Sequence, residues 1–268
     1  MKSLLALLIL LAGVPASSSH GITITLQLSN VGQGGVNGSG FTPSQHALLE
    51  DAASRWEQLL PGYQAGISLS GVAINAFAAP FDGAGSTFAE AGPTALDFQQ
   101  GIFLATSGDM HFDLADLAAL EAGGTLHSVM MHEIAHVLGF GTLWSLNGLY
   151  LEGSGQYVGA AGVAAYAAEF APGASFVPVE LGGSPASRDL HWNEVDGGLG
   201  LTGIADARGR DFGNEMMTAW TGPDASARFL SDTSLRSFED LGFTTIPEPS
   251  TAILLLFAAG LVRRKRYD

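Results

Sequence analysis

The chain of 268 residues contains no cysteine. That absence excludes a disulfide-stapled scaffold, a metal site with thiolate ligands and a thiol nucleophile. Lysine is nearly absent too: Lys2 and Lys265 are the only two, one at each end. Between residues 17 and 246 the cations are six Arg against 24 acidic side chains, a net charge of −18. Such an excess of carboxylates repels phosphates and argues against a nucleic acid as partner. Charged residues make up only 14% and hydrophobic ones 47%. A chain of that length and composition buries a real core, and it does not read as disordered. No internal repeat is visible. Neither is an EF-hand loop or a Gly-Asp array, so nothing in the sequence supports a Ca²⁺ site.

The two ends read as address segments. Residues 1–16 hold one Lys, an apolar run from Leu4 to Leu11, and Val14 and Ala16 at the −3 and −1 places of a cleavage site. That is the pattern of a secretory signal peptide. At the other end, Pro247-Glu248-Pro249-Ser250 is followed by the apolar run from Thr251 to Val262 and by Arg263-Arg264-Lys265-Arg266. The run is short for a full membrane span, and the basic cluster holds the end on the cytoplasmic side. Motif, apolar segment and basic cluster in that order resemble the PEP-CTERM sorting tail of Gram-negative bacteria. The resemblance implies export, transient anchoring in the inner membrane, trimming of residues 247–268 by an exosortase-type enzyme, and a final place at the cell surface or outside. The acidic, Cys-free part between the ends suits an extracellular protein and is expected to be a monomer.

Between the ends, local pattern predicts an α+β domain over 17–246, with an N-terminal subdomain near 22–140 and a C-terminal one near 141–246. Ile22–Leu28 alternates as a half-buried strand does. Thr42-Pro43-Ser44 opens a helix to Leu60, on which Ala47, Leu48, Ala52, Trp56, Leu59 and Leu60 fall near helical spacing, and Pro61-Gly62 ends it. Gly66–Ala76 reads as a second strand and 80–100 mostly as loop. Gly101–Thr106 and Asp109–Asp113 read as strand pieces around a turn at Ser107-Gly108. A short helix follows over Asp113–Glu121. A second runs from Thr125 to Leu138, with Leu126, Val129, Met130, Ile134, Val137 and Leu138 as its buried side, and ends at Gly139. The remainder is loop-rich, interrupted by a packing helix at Ala160–Phe170 and a last helix at Ser231–Leu241.

The sharpest chemical signal is His132-Glu133-Ile134-Ala135-His136. On a helix, positions i and i+4 share one face a turn apart. Two imidazoles so placed reach one Zn²⁺, and Glu133 stands beside the open coordination position, where it can take a proton from an acidified water. A catalytic Zn²⁺ takes three protein ligands plus water, so a third ligand is needed. The compact arrangement, with a His three residues after Gly139, fails because position 142 is Thr. His20 lies beside the cleavage site, His46 sits on the first helix, and His127 lies off the ligand face. His111, in a strand that can border the cleft, is one candidate, and His191 in the polar loop 191–194 is the preferred one. A Glu as third ligand, from Glu152, Glu169, Glu180 or Glu194, is the rival arrangement. A non-catalytic matrix or adhesion protein with a degenerate metal site is the rival of another class.

The run His132–Phe140, a long insertion, His191-Trp192, then Asn214-Glu215-Met216-Met217-Thr218 and Phe238–Phe243 are together similar to leishmanolysin-type metzincin peptidases. The resemblance implies a zincin fold: a mixed twisted sheet with an N-terminal helix and an active-site helix, then an irregular C-terminal subdomain with a final helix. It implies Zn²⁺ held by His132, His136 and His191, Glu133 as general base and proton shuttle, and Met217 as the Met-turn residue, with Met216 as the substitute. It also implies an edge strand at Gly108–Asp113, with Gly108, Asp109, Met110 and His111 pairing with an extended peptide substrate. Leishmanolysins are rich in cysteine, so core stabilisation and latency must differ here. Asp189, Glu194 and Asp196 are candidates for orienting His191. Tyr150, Tyr157 and Tyr166 offer hydroxyls for an oxyanion.

Overall fold

A computed structural model describes residues 21–193, 195, 200–219 and 227–246. The signal-peptide and sorting-tail segments lie outside the described residues, as do Glu194 and Asp196. Among the described residues no helix is long and apolar enough to cross a membrane.

The core element is a four-stranded mixed sheet in the order β1-β3-β5-β4. Strands β1 (Thr23–Leu28), β3 (Gly71–Ala79) and β5 (Ile102–Asp113) run parallel, and β4 (Ala89–Gln99) runs antiparallel to β5. Burial alternates residue by residue along β3, so one face of the sheet is covered and the other meets solvent. Helix α1 (Pro43–Leu59) opens on a capping box. Thr42 Oγ1 accepts the Gln45 amide at 3.3 Å while Gln45 Oε1 accepts the Thr42 amide at 2.9 Å, and Pro43 occupies the first turn. Its buried stripe is Gln45, Leu49, Ala52, Ala53, Trp56 and Leu59, so Leu49 rather than Leu48 faces inward and Ala47 is exposed. Trp56 Nε1 donates to Met131 O at 2.8 Å, which fixes α1 against α3 (Leu126–Val137). The short α2 (Leu117–Ala122) joins β5 to α3.

Three sequence expectations change here. Residues 80–100 are not mostly loop, because 89–99 form the long edge strand β4. Its partly exposed faces leave no alternation to read. The strand expected at 66–76 runs instead over 71–79. Ser107-Gly108 is not a turn. β5 passes straight through it, since a Cβ at Gly108 would lie 2.4 Å from a Val137 methyl, and glycine lets helix α3 cross the strand there.

The later half carries α4 (Ala160–Glu169), packed on α5 (Asp232–Asp240), and three two-residue strands besides irregular chain. β2 (Gly62–Tyr63) pairs with β8 (Phe243–Thr244), and β6 (Gln156–Tyr157) with β7 (Val177–Pro178). Asp240 ties the two helices: it accepts the amides of Ala161 and Gly162 at 2.9 Å each and the Tyr157 hydroxyl at 2.9 Å. An aromatic cluster of Phe140, Trp144, Tyr157, Trp192 and Phe238, each fully buried, joins this half to the end of α3.

Candidate metal centre

Helix α3 presents His132 and His136 on one face, as their spacing dictates. It ends in a Schellman turn: the Phe140 amide donates to Ala135 O at 2.9 Å and the Gly139 amide to His136 O at 3.2 Å, with Gly139 at φ 113°. That turn folds the chain back so that Phe140 O meets His136 Nδ1 at 2.9 Å. Two residues on, Gly141 (φ 71°) lies against the backbone of Leu190. A Cβ there would stand 2.2 Å from Leu190 O. The close approach seats the loop that carries His191. Trp192 then bridges Val179 on one side and Thr218 on the other, and its amide donates to Met217 O at 3.1 Å. Its indole Nε1 donates to Ser234 Oγ at 2.8 Å, so both backbone and ring fix the residue next to His191.

These elements bring His132, His136 and His191 together across 55 and 59 positions of sequence. Their Nε2 atoms form a triangle: 2.9 Å from His132 to His136, 2.9 Å from His136 to His191 and 3.0 Å from His132 to His191. Each ring donates through Nδ1 to a backbone carbonyl: His132 to Met216 O at 2.8 Å, His136 to Phe140 O at 2.9 Å and His191 to Ser187 O at 2.8 Å. With the protons on Nδ1, all three Nε2 lone pairs face one another and no proton lies between them. That arrangement is repulsive unless a cation occupies the focus. Burial drives the same result in proton terms. It holds His132 well below its ordinary value, His136 down at about 4 and His191 at about 3, so all three are neutral donors near pH 7. The three lie close enough to bind a metal ion.

The triad forms one wall of a cleft of about 450 Å³. Glu133 lines the same cleft, is 6% exposed, and its carboxyl makes no hydrogen bond among the described residues. Burial first, then the charge of Glu90, pushes its carboxyl up to about 8. Residues 86–91, the start of β4 and the loop before it, border the cleft opposite α3.

No protein-family model matches this chain, and no curated protein matches it.

The edge strand has to be reassigned. Gly108, Asp109, Met110 and His111 lie on β5, an inner strand: they pair with Ile74–Phe77 of β3 on one side and with Glu90–Pro93 of β4 on the other. Their backbone groups are committed to both neighbours, and the free edge beside the cleft belongs to β4. His111 is not a ligand. It stacks on Phe77 at 4.6 Å and lies 3.7 Å from Glu90 Oε1. His127 lies 3.0 Å from Asp51 Oδ2, and His46 lies 3.8 Å from Glu50 Oε1. Of the rival glutamates, Glu169 accepts from Thr233 at 3.1 and 3.2 Å, the fully buried Glu180 accepts from the Gly182 amide, and Glu152 is exposed. None of these three joins His132 and His136, and His191 is the third member of the cluster.

His191 is oriented by the Ser187 carbonyl rather than by a carboxylate. Asp189, held at φ 67°, instead accepts the Tyr150 hydroxyl and the Gly153 amide. The tyrosines are occupied elsewhere: Tyr150 with Asp189, Tyr157 with Asp240, and Tyr166 buried against Phe170 and Phe212. None of them lines the cleft. Met216 and Met217 sit in a turn closed by the Thr218 amide on Glu215 O at 3.2 Å. The Met217 side chain is fully buried, and the Met216 carbonyl is the one that holds His132.

Two residues escaped the sequence reading. Glu215, completely buried, accepts from the Ser231 amide and hydroxyl at 2.9 Å each, from Ser234 Oγ at 2.7 Å and from the Met217 amide at 2.5 Å. A carboxylate just before the paired methionines was its only signal. Arg228 lines the cleft and had no signal beyond being one of the six arginines between residues 17 and 246.

Proposed function

We propose that this chain is an exported zinc endopeptidase of the leishmanolysin-like metzincin type. The observation that carries the reading is the triangle of deprotonated Nε2 atoms with the Glu133 carboxyl in the same cleft. Three neutral imidazoles whose Nε2 atoms converge within 3.0 Å of one another suit Zn²⁺. A structural zinc site closes all four positions with protein groups, whereas here three ligands face an open cleft. His132, His136 and His191 would hold the ion, which would supply Lewis acidity, lowering the pKa of a water and polarising a carbonyl.

The chain's own groups do the rest. Glu133 accepts a proton from the attacking water and passes it to the departing amine. The carbonyls of Met216, Phe140 and Ser187 keep the three rings in one tautomer and orientation. Among the described residues the outer edge of β4 has no strand partner, and an extended peptide lies there along the cleft as an added strand. Export and surface release, as the terminal segments imply, put this activity outside the cell. The substrate is then a protein or peptide met there.

The test is casein digestion by the purified protein with and without a zinc chelator, beside the Glu133→Ala variant. Loss of general acid–base help costs roughly 10²–10⁴-fold in turnover, while zinc content stays at one per chain. Equal digestion by the variant and the parent overturns the reading.

A further inference from the structure

Of the large apolar side chains left exposed among the described residues, Leu96, Phe98 and Leu146 gather at one end of the sheet. β3 pairs with β5 only from Ser107 onward, so the turn end of the β4–β5 hairpin runs past the rest of the sheet. There Leu96 lies opposite Ala105 and Phe98 opposite Phe103, which puts their side chains on one face of the hairpin. The Phe98 ring, 58% exposed, rests on Phe103 at 4.7 Å. Alternation puts Asp97 and Gln99 on the other face. The Asp97 carboxylate accepts the Phe98 amide and Gln99 Nε2 at 2.8 Å each. Asn147 borders the hairpin, accepting the Phe103 amide at 2.8 Å and donating to Phe103 O at 3.1 Å, and so sets Leu146 beside it.

The chain leaves the domain at the same end. Gly242 packs against the hairpin: a Cβ there would lie 3.2 Å from a Leu104 methyl and 3.4 Å from an Ile102 methyl. From Gly242 the chain follows β8 to Ile246, which is exposed and whose amide donates to Leu59 O at 2.9 Å. In sequence, residues 247–250 then separate it from the apolar run Thr251–Val262. The stretch from Phe243 to Ser250 reaches at most about 29 Å fully extended. The hairpin is therefore within reach of any bilayer that the run enters.

We propose that the hairpin tip is a second membrane contact, with Leu96, Phe98 and Leu146 dipping into the lipid surface that holds the apolar run. A single anchor leaves the domain free to swing on its spacer, whereas a second contact fixes its orientation. Along β4 the seven steps from Ala91, in the cleft wall, to Phe98 cover about 23 Å. The docked domain carries its cleft up to that far from the point of contact, open to the medium rather than pressed on lipid. The contact is apolar and not electrostatic. With a net charge of −18 between residues 17 and 246, the domain is repelled by anionic headgroups. The inference rests on reading residues 251–262 as a membrane segment and does not depend on the peptidase reading.

The chain has no cysteine, so a single introduced one reports alone. The full chain is reconstituted in phosphatidylcholine vesicles with the fluorophore NBD on Leu96→Cys, Phe81→Cys or Ala258→Cys, and with quenchers on the lipid acyl chains. Phe81 is the control: it is also apolar and exposed, but it meets His111 at the other end of the sheet. The expected result is quenching of the labels at 96 and 258 and none at 81. Adding Phe98→Ser to Leu96→Cys lowers the docked-to-undocked ratio roughly 10–100-fold, the factor for returning one large apolar side chain to water. Tm stays unchanged, because that side chain is exposed in the folded domain. Phosphatidylglycerol weakens docking at low salt, and added salt restores it. Quenching at 258 without quenching at 96 overturns the hairpin contact alone. Equal quenching at 81 and 96 overturns the fixed orientation, and docking strengthened by phosphatidylglycerol overturns its apolar nature. Energy transfer between labels at 96 on two chains, without lipid quenching, assigns the patch to contact between copies and overturns the lipid reading. Quenching at 96 but not at 258 supports the hairpin and overturns the membrane reading of the run, and quenching at neither overturns both.

Discussion

Gly141 and Leu190, 49 positions apart, are in such close backbone contact that a single methyl group has no room between them: a Cβ on Gly141 would stand 2.2 Å from the Leu190 carbonyl oxygen. The contact joins the chain leaving α3, which carries two of the three imidazoles, to the loop carrying the third. Gly141→Ala is expected to push the His191 loop outward and weaken metal affinity by roughly 10–100-fold, the range for supports of metal ligands. It also destabilises the fold by about 1–3 kcal/mol through its left-handed φ. Gly124→Ala is the control, since Gly124 shares the sign of φ (72°) but has nothing within 4 Å of the added methyl. Competition with a chromophoric chelator should show unchanged affinity for the control and a clear loss for Gly141→Ala.

Removing the ion should lower stability by linkage. At free zinc a hundredfold above Kd the ion contributes about 2.7 kcal/mol. A chelator should therefore lower Tm in the parent protein, and zinc should restore it. In His191→Ala the same titration should give little or no shift while the fold persists, since the ring lies at the end of a loop rather than in the aromatic core. A full zinc-dependent shift in His191→Ala would show that another group supplies the third bond.

Glu215 links the turn at Met216-Met217 to the start of α5, accepting four hydrogen bonds with no exposure to solvent. Glu215→Ala leaves four donors without a partner, at a cost of about 3 kcal/mol or more. Glu215→Gln keeps an acceptor for some of them and is expected to fall between. Because the same turn supplies the carbonyl for His132, metal affinity should drop along with stability. Urea unfolding and zinc competition on the same samples test this, and a loss of stability without any loss of affinity would separate the turn from the ligand.

Glu169 gives a pH signature away from the centre. Burial is the main influence and pushes its carboxyl up to about 7, against the opposing hydrogen bonds from Thr233. A carboxyl with a raised value in the folded state binds its proton more tightly folded than unfolded. Its contribution to stability is therefore complete below about 4.5 and is lost as pH rises through about 7. Glu169→Gln removes that titration. Unfolding measured from pH 5 to 8 should show a shallower decline in the variant, and an identical slope would contradict the raised value.

Much of the N-terminal half was legible because its signals are local. The i, i+4 spacing of His132 and His136 places both on one face of any helix that forms there, and Thr42, Pro43 and Gln45 spell out a cap through contacts only three residues long. The stop at Gly139 was readable for the same reason. β4 was not readable. An edge strand exposed along much of its length has no alternating pattern, and Gly92 and Pro93 inside it look like breakers. The sheet edge was consequently assigned one strand too far inward, to Gly108–Asp113.

The sequence by itself determined that two imidazoles and a carboxyl share one turn of helix, because helical geometry follows from spacing alone. Only the tertiary structure decided which distant side chain completes the group. His191 reaches it because Gly141 admits the Leu190 backbone and because Trp192 is paired on both sides. The tertiary structure alone also set the chemistry of the rings, since the groups that orient them are the backbone carbonyls of Met216, Phe140 and Ser187. Every residue carries such a carbonyl, so no choice of side chain announces it, and only the path of the folded chain brings it to the ring.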